Sequence, residues 1–90
     1  MEQIDHVEFD FEYHENGVNI SHFFVEPNHR NQDYGSKVLT ELEKRFEKEG
    51  LDYIVVNMRG GDVAKSFLQS NGFNIVEEQG EHVTGEKNIN

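Results

Sequence analysis

Hydrophobic and polar residues alternate along the first quarter of the chain. Within residues 4–13, aromatic and aliphatic side chains take every second position from Val7 onward, and acidic residues lie between them. A period of two predicts a β-strand with one buried and one exposed face. Asn16-Gly17 is a strong hairpin signal, so the apolar segment 18–25 is predicted to return beside the first strand until Pro27 ends it.

The period of the apolar positions changes to that of a helix after Tyr34. Apolar residues recur every four positions as far as Phe46, which predicts a helix over residues 34–49 with Gly50 just beyond its end. The β-branched run 51–58 predicts a buried strand. A second helix is predicted between an Asp62 N-cap and Asn71-Gly72, and another strand over 73–76.

These elements follow one another in the order β-β-α-β-α-β, which indicates an α/β fold with a mixed sheet that is antiparallel at its start. A helix between two strands implies a right-handed parallel crossover. Ninety residues fit a single domain, here 1–90 with a core over 4–79. The apolar pattern thins over 80–90, which is predicted to be a weak final edge strand or a frayed tail.

Charge narrows the classes of partner. The chain has 18 acidic against 8 basic residues, a formal net charge of −10. Binding to nucleic acid or to an anionic membrane is therefore not expected, because both need clustered Lys and Arg. There is no cysteine, no apolar run of about 20 residues and no signal-peptide pattern at the N-terminus. We expect a cytoplasmic protein whose acidic surface attracts cationic partners.

The connection between the second strand and the first helix is the best candidate for a binding site. Residues 25–39 read VEPNHRNQDYGSKVL, so a strand turns through small and polar residues directly into a helix. Such a turn can direct several backbone N–H groups at one point, in front of the positive end of the helix. This arrangement predicts a phosphate or pyrophosphate site, although an ordinary loop with no ligand fits the local pattern as well.

Two spaced motifs in the chain resemble those of the GNAT acetyltransferase superfamily. The first is V-x-P-x-x-R-x-x-x-x-G-S over residues 25–36, and the second is A-x-x-F-x-x-x-x-G-F over residues 64–73. The resemblance extends over about residues 4–79 and includes the order of the elements. It implies acetyl-CoA as co-substrate, with the pantetheine arm beside the second strand and the pyrophosphate at the loop. The implied cofactor-binding residues are Phe23, Val25, Arg30, Asn31, Gln32, Asp33, Tyr34, Gly35 and Ser36.

The chain departs from the family pattern at four positions. Asp33 replaces the first loop glycine, which places a carboxylate where phosphates are expected. Leu68 stands where many members have a tyrosine that protonates the leaving thiolate. Gly61 replaces a cofactor-contacting asparagine, and Asn19 replaces a glutamate that some members use as base. The family's first strand and paired helices have no counterpart, which implies an open acceptor side suited to a protein lysine or a polyamine and completed, if at all, by a second subunit in a homodimer.

Histidines supply one candidate catalytic residue. His22 lies three positions before Val25 and is a weak candidate for the general base, the alternative being a half-buried sheet residue. His6 is interpreted as a structural residue on a strand, and His29 as a packing residue. His14 and His82 are expected to be exposed. Because the histidines are scattered without metal-ligand spacing, no metal is predicted.

Three basic residues besides Arg30 are candidates for contact with phosphates. Lys37 follows the loop, and Arg59 and Lys65 lie near the start of the second helix. The leading functional hypothesis is acetyl-CoA-dependent acetylation of a primary amine. A catalytically impaired binding module for a cationic protein is the alternative, and an acidic mimic of nucleic acid is a third.

Overall fold

The fold is a six-stranded mixed sheet with two α-helices, as seen in a computed structural model that describes residues 2–30 and 32–90. A short 3-10 helix, Pro27–His29, precedes the first α-helix. The other elements, in chain order, are β1 (Glu2–Ile4), β2 (Val7–His14), β3 (Gly17–Val25), α1 (Tyr34–Lys48), β4 (Tyr53–Arg59), α2 (Gly61–Ser70), β5 (Asn74–Gln79) and β6 (His82–Asn88).

The strands lie in the order β1-β2-β3-β4-β6-β5, with β3 and β4 parallel and every other described pair antiparallel. The predicted α/β class, the mixed sheet and the antiparallel start are therefore confirmed. The connection β4-α2-β5 skips one position in the sheet, and β6 fills it. No helix among residues 2–30 and 32–90 is long and apolar enough to cross a membrane.

The N-terminal alternating segment forms two strands, where one was predicted. Asp5 and His6 make a two-residue turn with φ angles of 43° and 68°, and Ile4 pairs with Val7 across it. His6 is thus a turn residue, and its assignment to a strand was wrong. The turn was not predicted because Asp-His is a weaker turn signal than the Gly-containing pairs that usually mark left-handed backbone.

The C-terminal segment is an interior strand, neither an edge strand nor a frayed tail. β6 pairs with β4 on one side and with β5 on the other. Its pattern was weak because few of its side chains face the core; Val83 is 1% exposed, and Gly85 lies against Phe73 and Leu68. Backbone pairing on both sides holds the strand in place despite its polar sequence.

The second helix begins without the predicted Asp62 cap. α2 starts at Gly61, its cap position is Gly60 with φ 143°, and Asp62 lies in the first turn. The N–H groups of both glycines donate to the Glu81 carbonyl oxygen at 2.9 Å. The turn before β6 therefore fixes the start of this helix through the backbone, and no side-chain cap marks it in the sequence.

One hydrophobic core lies between the sheet and the two helices. Both helices pack on the same face, since Phe67 of α2 stacks on Phe23 of β3 and Asn71 of α2 donates to Ser36 of α1. The opposite face carries side chains that alternate with the core residues, among them Glu8 and Asp10, and no described helix covers it. The buried core consists of Val7, Phe9, Val18, Ile20, Phe23, Val38, Leu39, Leu42, Phe46, Ile54, Val56, Ala64, Leu68, Phe73 and Val83.

Candidate functional site

The two parallel strands at the centre of the sheet separate part-way along their length. β3 pairs with β4 from Gly17 opposite Tyr53 to Ile20 opposite Val56, and no described pairing joins them beyond that point. β3 nevertheless continues for five residues, to Val25, held by β2 on its other side. The strands therefore enclose a V-shaped opening, and the backbone groups that face it lack strand partners across the gap.

A cleft of about 510 Å³ occupies this opening. The end of β3 forms one wall, the loop and first turn of α1 form the rim, and the end of β4 with the start of α2 forms the other wall. Because α1 and α2 each begin where a parallel strand ends, both helix N-termini meet at the cleft. The lining residues are Phe23, Phe24, Val25, His29, Arg30, Asp33, Tyr34, Gly35, Ser36, Met58, Arg59, Gly60, Val63, Ala64 and Phe67.

A β-bulge in β3 lies next to the point of separation. Ser21 is opposite Asp10 and Phe24 is opposite Glu8, so two residues of β3, His22 and Phe23, face one residue of β2. His22 has a φ of 54°, which is uncommon for a residue other than glycine. The extra residue shifts the alternation so that Phe23 is buried on the helix side.

His22 lies on the sheet face away from the helices and contacts Asp10. The His22 Nδ1 and Asp10 Oδ2 atoms are 2.9 Å apart, and the His22 side chain is 76% exposed, so the half-buried alternative was wrong. The bulge is the reason, because it turns this residue outward. The hydrogen bond with His22 lowers the pKa of Asp10 below its ordinary value.

The loop before α1 presents backbone donors at the rim of the cleft. Asp33 occupies the cap position in the left-handed conformation, with φ 62°, and makes no side-chain cap hydrogen bond. Its carbonyl oxygen accepts the Lys37 N–H at 3.0 Å, which starts the helical ladder. The first-turn N–H groups of α1 are therefore not capped by Asp33 and point toward the cleft end of the helix.

Arg30 extends from the loop back over the end of β3. Its Nε donates to the Val25 carbonyl oxygen at 3.0 Å, and its guanidinium carbon lies 5.0 Å from the centre of the Phe24 ring. The guanidinium has five N–H donors in all, so this bond fixes the group at the rim and uses one of them. A positive charge is thus held beside the uncapped helix end.

Gly35 allows α1 and α2 to approach closely at the base of the cleft. A Cβ atom at this position would lie 3.1 Å from the Phe67 ring and 3.3 Å from Val25 Cγ2. A hydrogen bond also joins the two helices: Asn71 Nδ2 of α2 donates to Ser36 Oγ of α1 at 3.2 Å. A larger residue than glycine would have to displace side chains that form the cleft wall.

Most of the cofactor residues implied by the sequence resemblance lie together. Gln32 is exposed outside the lining and donates to the Asn28 carbonyl oxygen at 3.4 Å, and Asn31 lies outside the described residues. The other seven predicted residues all line the cleft: Phe23, Val25, Arg30, Asp33, Tyr34, Gly35 and Ser36.

The other basic candidates differ in their positions. Arg59 lines the cleft and pairs with Glu81 at 3.3 Å. Lys65 is outside the lining and pairs with Glu78 at 3.3 Å. Lys37 lies with its Nζ 5.9 Å from the centre of the Tyr34 ring, on the exposed side of α1.

The wall contributed by β4 and α2 was predicted only in part, through Arg59 as a candidate for phosphate contact. Met58, Gly60 and Phe67 line it, and so does Val63, which is 79% exposed. One signal was available: in an open parallel sheet, ligands bind beyond the carboxyl ends of adjacent strands. The residues after β4 were therefore candidates together with those after β3.

Comparison with known proteins decides the family. The sequence model of the acetyltransferase (GNAT) domain matches residues 2–75, which is most of the chain. The chain belongs to the GNAT acetyltransferase family. The resemblance seen in the two motifs is thereby confirmed. Comparison with curated protein sequences gives no significant match.

Solved structures of GNAT proteins share this fold. PaiA N-acetyltransferase from Thermoplasma acidophilum, in complex with coenzyme A, has a TM-score of 0.78 at 22% identity, with 91% of this chain and 52% of that chain covered. The ribosomal-protein-S18-alanine N-acetyltransferase from Escherichia coli has a TM-score of 0.74 at 15% identity, covering 97% and 72%. Ard1 from Thermoplasma volcanium has a TM-score of 0.72 at 17% identity, covering 91% and 60%.

This GNAT chain spans about half the length of PaiA and of a Staphylococcus aureus GNAT acetyltransferase, of which it covers 52% and 53%. Its departures from the family motifs have clear positions in the structure. Asp33 adopts the left-handed backbone that glycine adopts easily, and Asp tolerates it better than most residues. Leu68 is completely buried in the core, and Asn19 faces the side of the sheet without helices.

Proposed function

We propose that this GNAT domain transfers the acetyl group of acetyl-CoA to a primary amine. The observation that carries the proposal is the opening between β3 and β4, because the loop of the first motif and the helix of the second motif form its walls. An unpaired strand edge, an apolar wall and a helix N-terminus converge there, which suits a long ligand with an anionic end.

The pyrophosphate binds at the rim, against the first-turn N–H groups of α1. The helix end carries a partial positive charge, and Arg30 adds a full one. Asp33 opposes them, since a carboxylate about 4 Å from a phosphate charge costs roughly 1 kcal/mol in water and about 4 kcal/mol at an effective dielectric constant of 20. Binding is therefore expected to depend on salt, which screens this repulsion.

The pantetheine arm lies along β3 and reaches the point where the strands separate. Phe23, Val25 and Phe67 provide apolar contacts, and the backbone of β3 supplies the donors and acceptors that β4 does not use. This placement brings the thioester close to the bulge at His22. The coenzyme A complex of PaiA supports coenzyme A as the ligand class.

The reaction joins the amine nitrogen to the thioester carbonyl carbon. The nitrogen lone pair attacks that carbon, the carbon–sulfur bond breaks, and coenzyme A leaves as a thiolate that takes up a proton. His22 accepts the proton lost by the amine, and Asp10 holds the imidazole in place. Holding amine and thioester in this geometry contributes most of the acceleration.

The acceptor approaches from the sheet face without helices. Glu8, Asp10 and Glu12 of β2 project from that face beside His22, and they favour a cationic substrate. A lysine side chain of a basic protein and a polyamine both fit this charge and the open surface. A homodimer that completes the acceptor side stays a prediction.

Impaired catalysis is the second candidate function, and one observation favours it. Leu68 is completely buried where the sequence resemblance implies a tyrosine acid, so that position supplies no proton to the thiolate. The domain would then bind a cationic protein without chemistry.

Thiol release from acetyl-CoA tests the proposal. The chain is incubated with acetyl-CoA and with either a lysine-rich peptide or spermidine, at 0.1 M and 1 M salt, and free thiol is measured. We expect amine-dependent release above the buffer rate. Saturable acetyl-CoA binding without any release would reject the enzyme in favour of the binding module, and an absence of binding would reject the cofactor site.

A further inference from the structure

His6 converges beside the cleft with Glu26 and His29, which are three residues apart but distant from His6 in sequence. His6 is in the β1–β2 turn, Glu26 follows β3, and His29 ends the 3-10 helix. The Glu26 Oε2 atom lies 3.3 Å from His6 Nδ1 and 3.5 Å from His29 Nδ1. One ligand atom from each of the three side chains fits within a span of 4.8 Å.

The carboxylate is held with one oxygen turned to both imidazoles. Gln3 Nε2 donates to Glu26 Oε1 at 3.2 Å, which leaves Oε2 facing the histidines. The Glu26 N–H donates to the His6 carbonyl oxygen at 2.9 Å, and the His29 N–H donates to the Glu26 carbonyl oxygen at 2.8 Å. Backbone bonds thus tie all three residues together.

One atom of the cluster makes no hydrogen bond, and its contact within the cluster is the 3.5 Å approach to Glu26 Oε2. His29 Nδ1 is buried and makes no hydrogen bond with any described residue, although most buried polar atoms are paired. A bound cation would satisfy this atom and would sit between it and the Glu26 carboxylate.

We propose that His6, Glu26 and His29 bind a divalent transition-metal ion of the zinc class. Two imidazole nitrogens and a carboxylate oxygen are ligands that zinc prefers, with a fourth position left for water. Zinc–nitrogen bonds of about 2.0–2.1 Å place tetrahedral ligand atoms about 3.3–3.4 Å apart. The distances of 3.3 and 3.5 Å from the carboxylate oxygen match that spacing.

Ligation requires one ring to rotate. The imidazoles of His6 and His29 are stacked with centroids 3.6 Å apart and an angle of 4° between their planes, so an ion cannot lie in both ring planes at once. The torsion between Cβ and the ring is broad for histidine. His6 has the freer ring, since its side chain is 41% exposed against 30% for His29.

The scattered histidines predicted no metal. Glu26 and His29 are three residues apart, but the third proposed ligand, His6, lies 20 residues before Glu26, so spacing alone did not indicate the site. An ion bound there would link the β1–β2 turn to the segment before the cleft loop. It would therefore raise the melting temperature of the chain.

Isothermal titration of the chain with zinc chloride, in the absence of coenzyme A, tests the site. We expect one ion per chain, and His6→Gln and Glu26→Gln variants that bind at least about tenfold more weakly. His14→Gln and His82→Gln are matched controls at exposed positions, and they should bind like the unmodified chain. Circular dichroism establishes that each variant is folded.

Cobalt supplies a second measurement that needs no variant. Co²⁺ added to the unmodified chain should give the visible absorption bands of tetrahedral coordination, and Zn²⁺ should displace them. The proposal is overturned if the unmodified chain shows no saturable binding of zinc. It is also overturned if the His6 and Glu26 variants bind as tightly as the two controls.

Discussion

His22 Nδ1 lies 2.9 Å from Asp10 Oδ2 on the sheet face that no described helix covers. The bulge that turns His22 to this face also marks where β3 and β4 begin to separate. An imidazole oriented by a carboxylate therefore stands at the open side of the proposed thioester position, where an amine would arrive. The pair is the strongest candidate for the proton-transfer step.

Replacing the proposed base should slow the reaction without weakening cofactor binding. We expect His22→Gln to lower kcat at pH 7.5 by about 10²-fold or more, since a positioned base contributes that much. Asp10→Asn should lower kcat less, because the imidazole remains. His14→Gln, at an exposed position at the end of β2, is the control. Equal kcat values for the His22 and His14 variants would remove His22 from the mechanism.

The same pair predicts how stability depends on pH. The hydrogen bond with His22 lowers the pKa of Asp10 in the folded chain, so the contact stabilises the fold above the unfolded pKa of about 3.9. This contribution is lost as the pH falls through the lowered folded pKa. Urea unfolding should therefore give a higher free energy of unfolding for the unmodified chain than for Asp10→Asn at pH 7. This difference should shrink as the pH is lowered to 2.5. A constant difference across that range would contradict the assignment.

Removing the carboxylate at the loop should strengthen acetyl-CoA binding. Asp33 lines the cleft and adopts left-handed backbone, so Asp33→Gly removes a repulsive charge and also suits the conformation. A repulsion of roughly 1 kcal/mol corresponds to about a fivefold gain in affinity at low salt, with a smaller gain at 1 M salt.

Asp5→Gly is a matched control for that substitution. Asp5 also has a positive φ, 43°, and lies in an exposed turn outside the cleft lining. Titration calorimetry with acetyl-CoA should show an affinity gain for the Asp33 variant alone. If both variants gain equally, the Asp33 carboxylate does not face the phosphates.

Gly35 should tolerate no side chain without a change in the cleft. A Cβ there meets the Phe67 ring at 3.1 Å and Val25 at 3.3 Å, and overpacking of this kind typically costs about 1–3 kcal/mol. We expect Gly35→Ala to lower the free energy of unfolding by about 1 kcal/mol and to weaken acetyl-CoA binding. Lys44→Ala, an exposed substitution on the same helix, should change neither quantity. If Gly35→Ala is destabilised but binds acetyl-CoA as tightly as the unmodified chain, the close packing at Gly35 does not shape the cofactor site.

Periodicity predicted the long elements well because each buries one regular face. The stripe from Tyr34 to Phe46 gave α1 to within a residue of its observed end, and alternation gave β2. The short β1 was not predicted, and the interior β6 was predicted only as a weak edge strand or a frayed tail, for a different reason. The turn at Asp5 and His6 contains neither Gly nor Asn to mark it strongly, and β6 is held by backbone pairing on both sides more than by apolar side chains.

The cleft could be predicted in part from the motif, since the loop and β3 are local in sequence. Its second wall depends on how α2 packs, which brings Phe67 against Gly35. The outward turn of His22 depends on a bulge that only strand register reveals. The cluster of His6, Glu26 and His29 combines a local pair, Glu26 and His29, with the distant His6, which only the fold brings to them.

The most direct measurement of the central claim is an NMR titration of the ¹⁵N-labelled chain with coenzyme A. Binding in the opening between β3 and β4 predicts the largest amide shifts at Phe23 to Val25 and at Asp33 to Ser36, with small shifts along β5. Unchanged spectra at millimolar coenzyme A, or shifts confined to residues outside the cleft, would contradict the account.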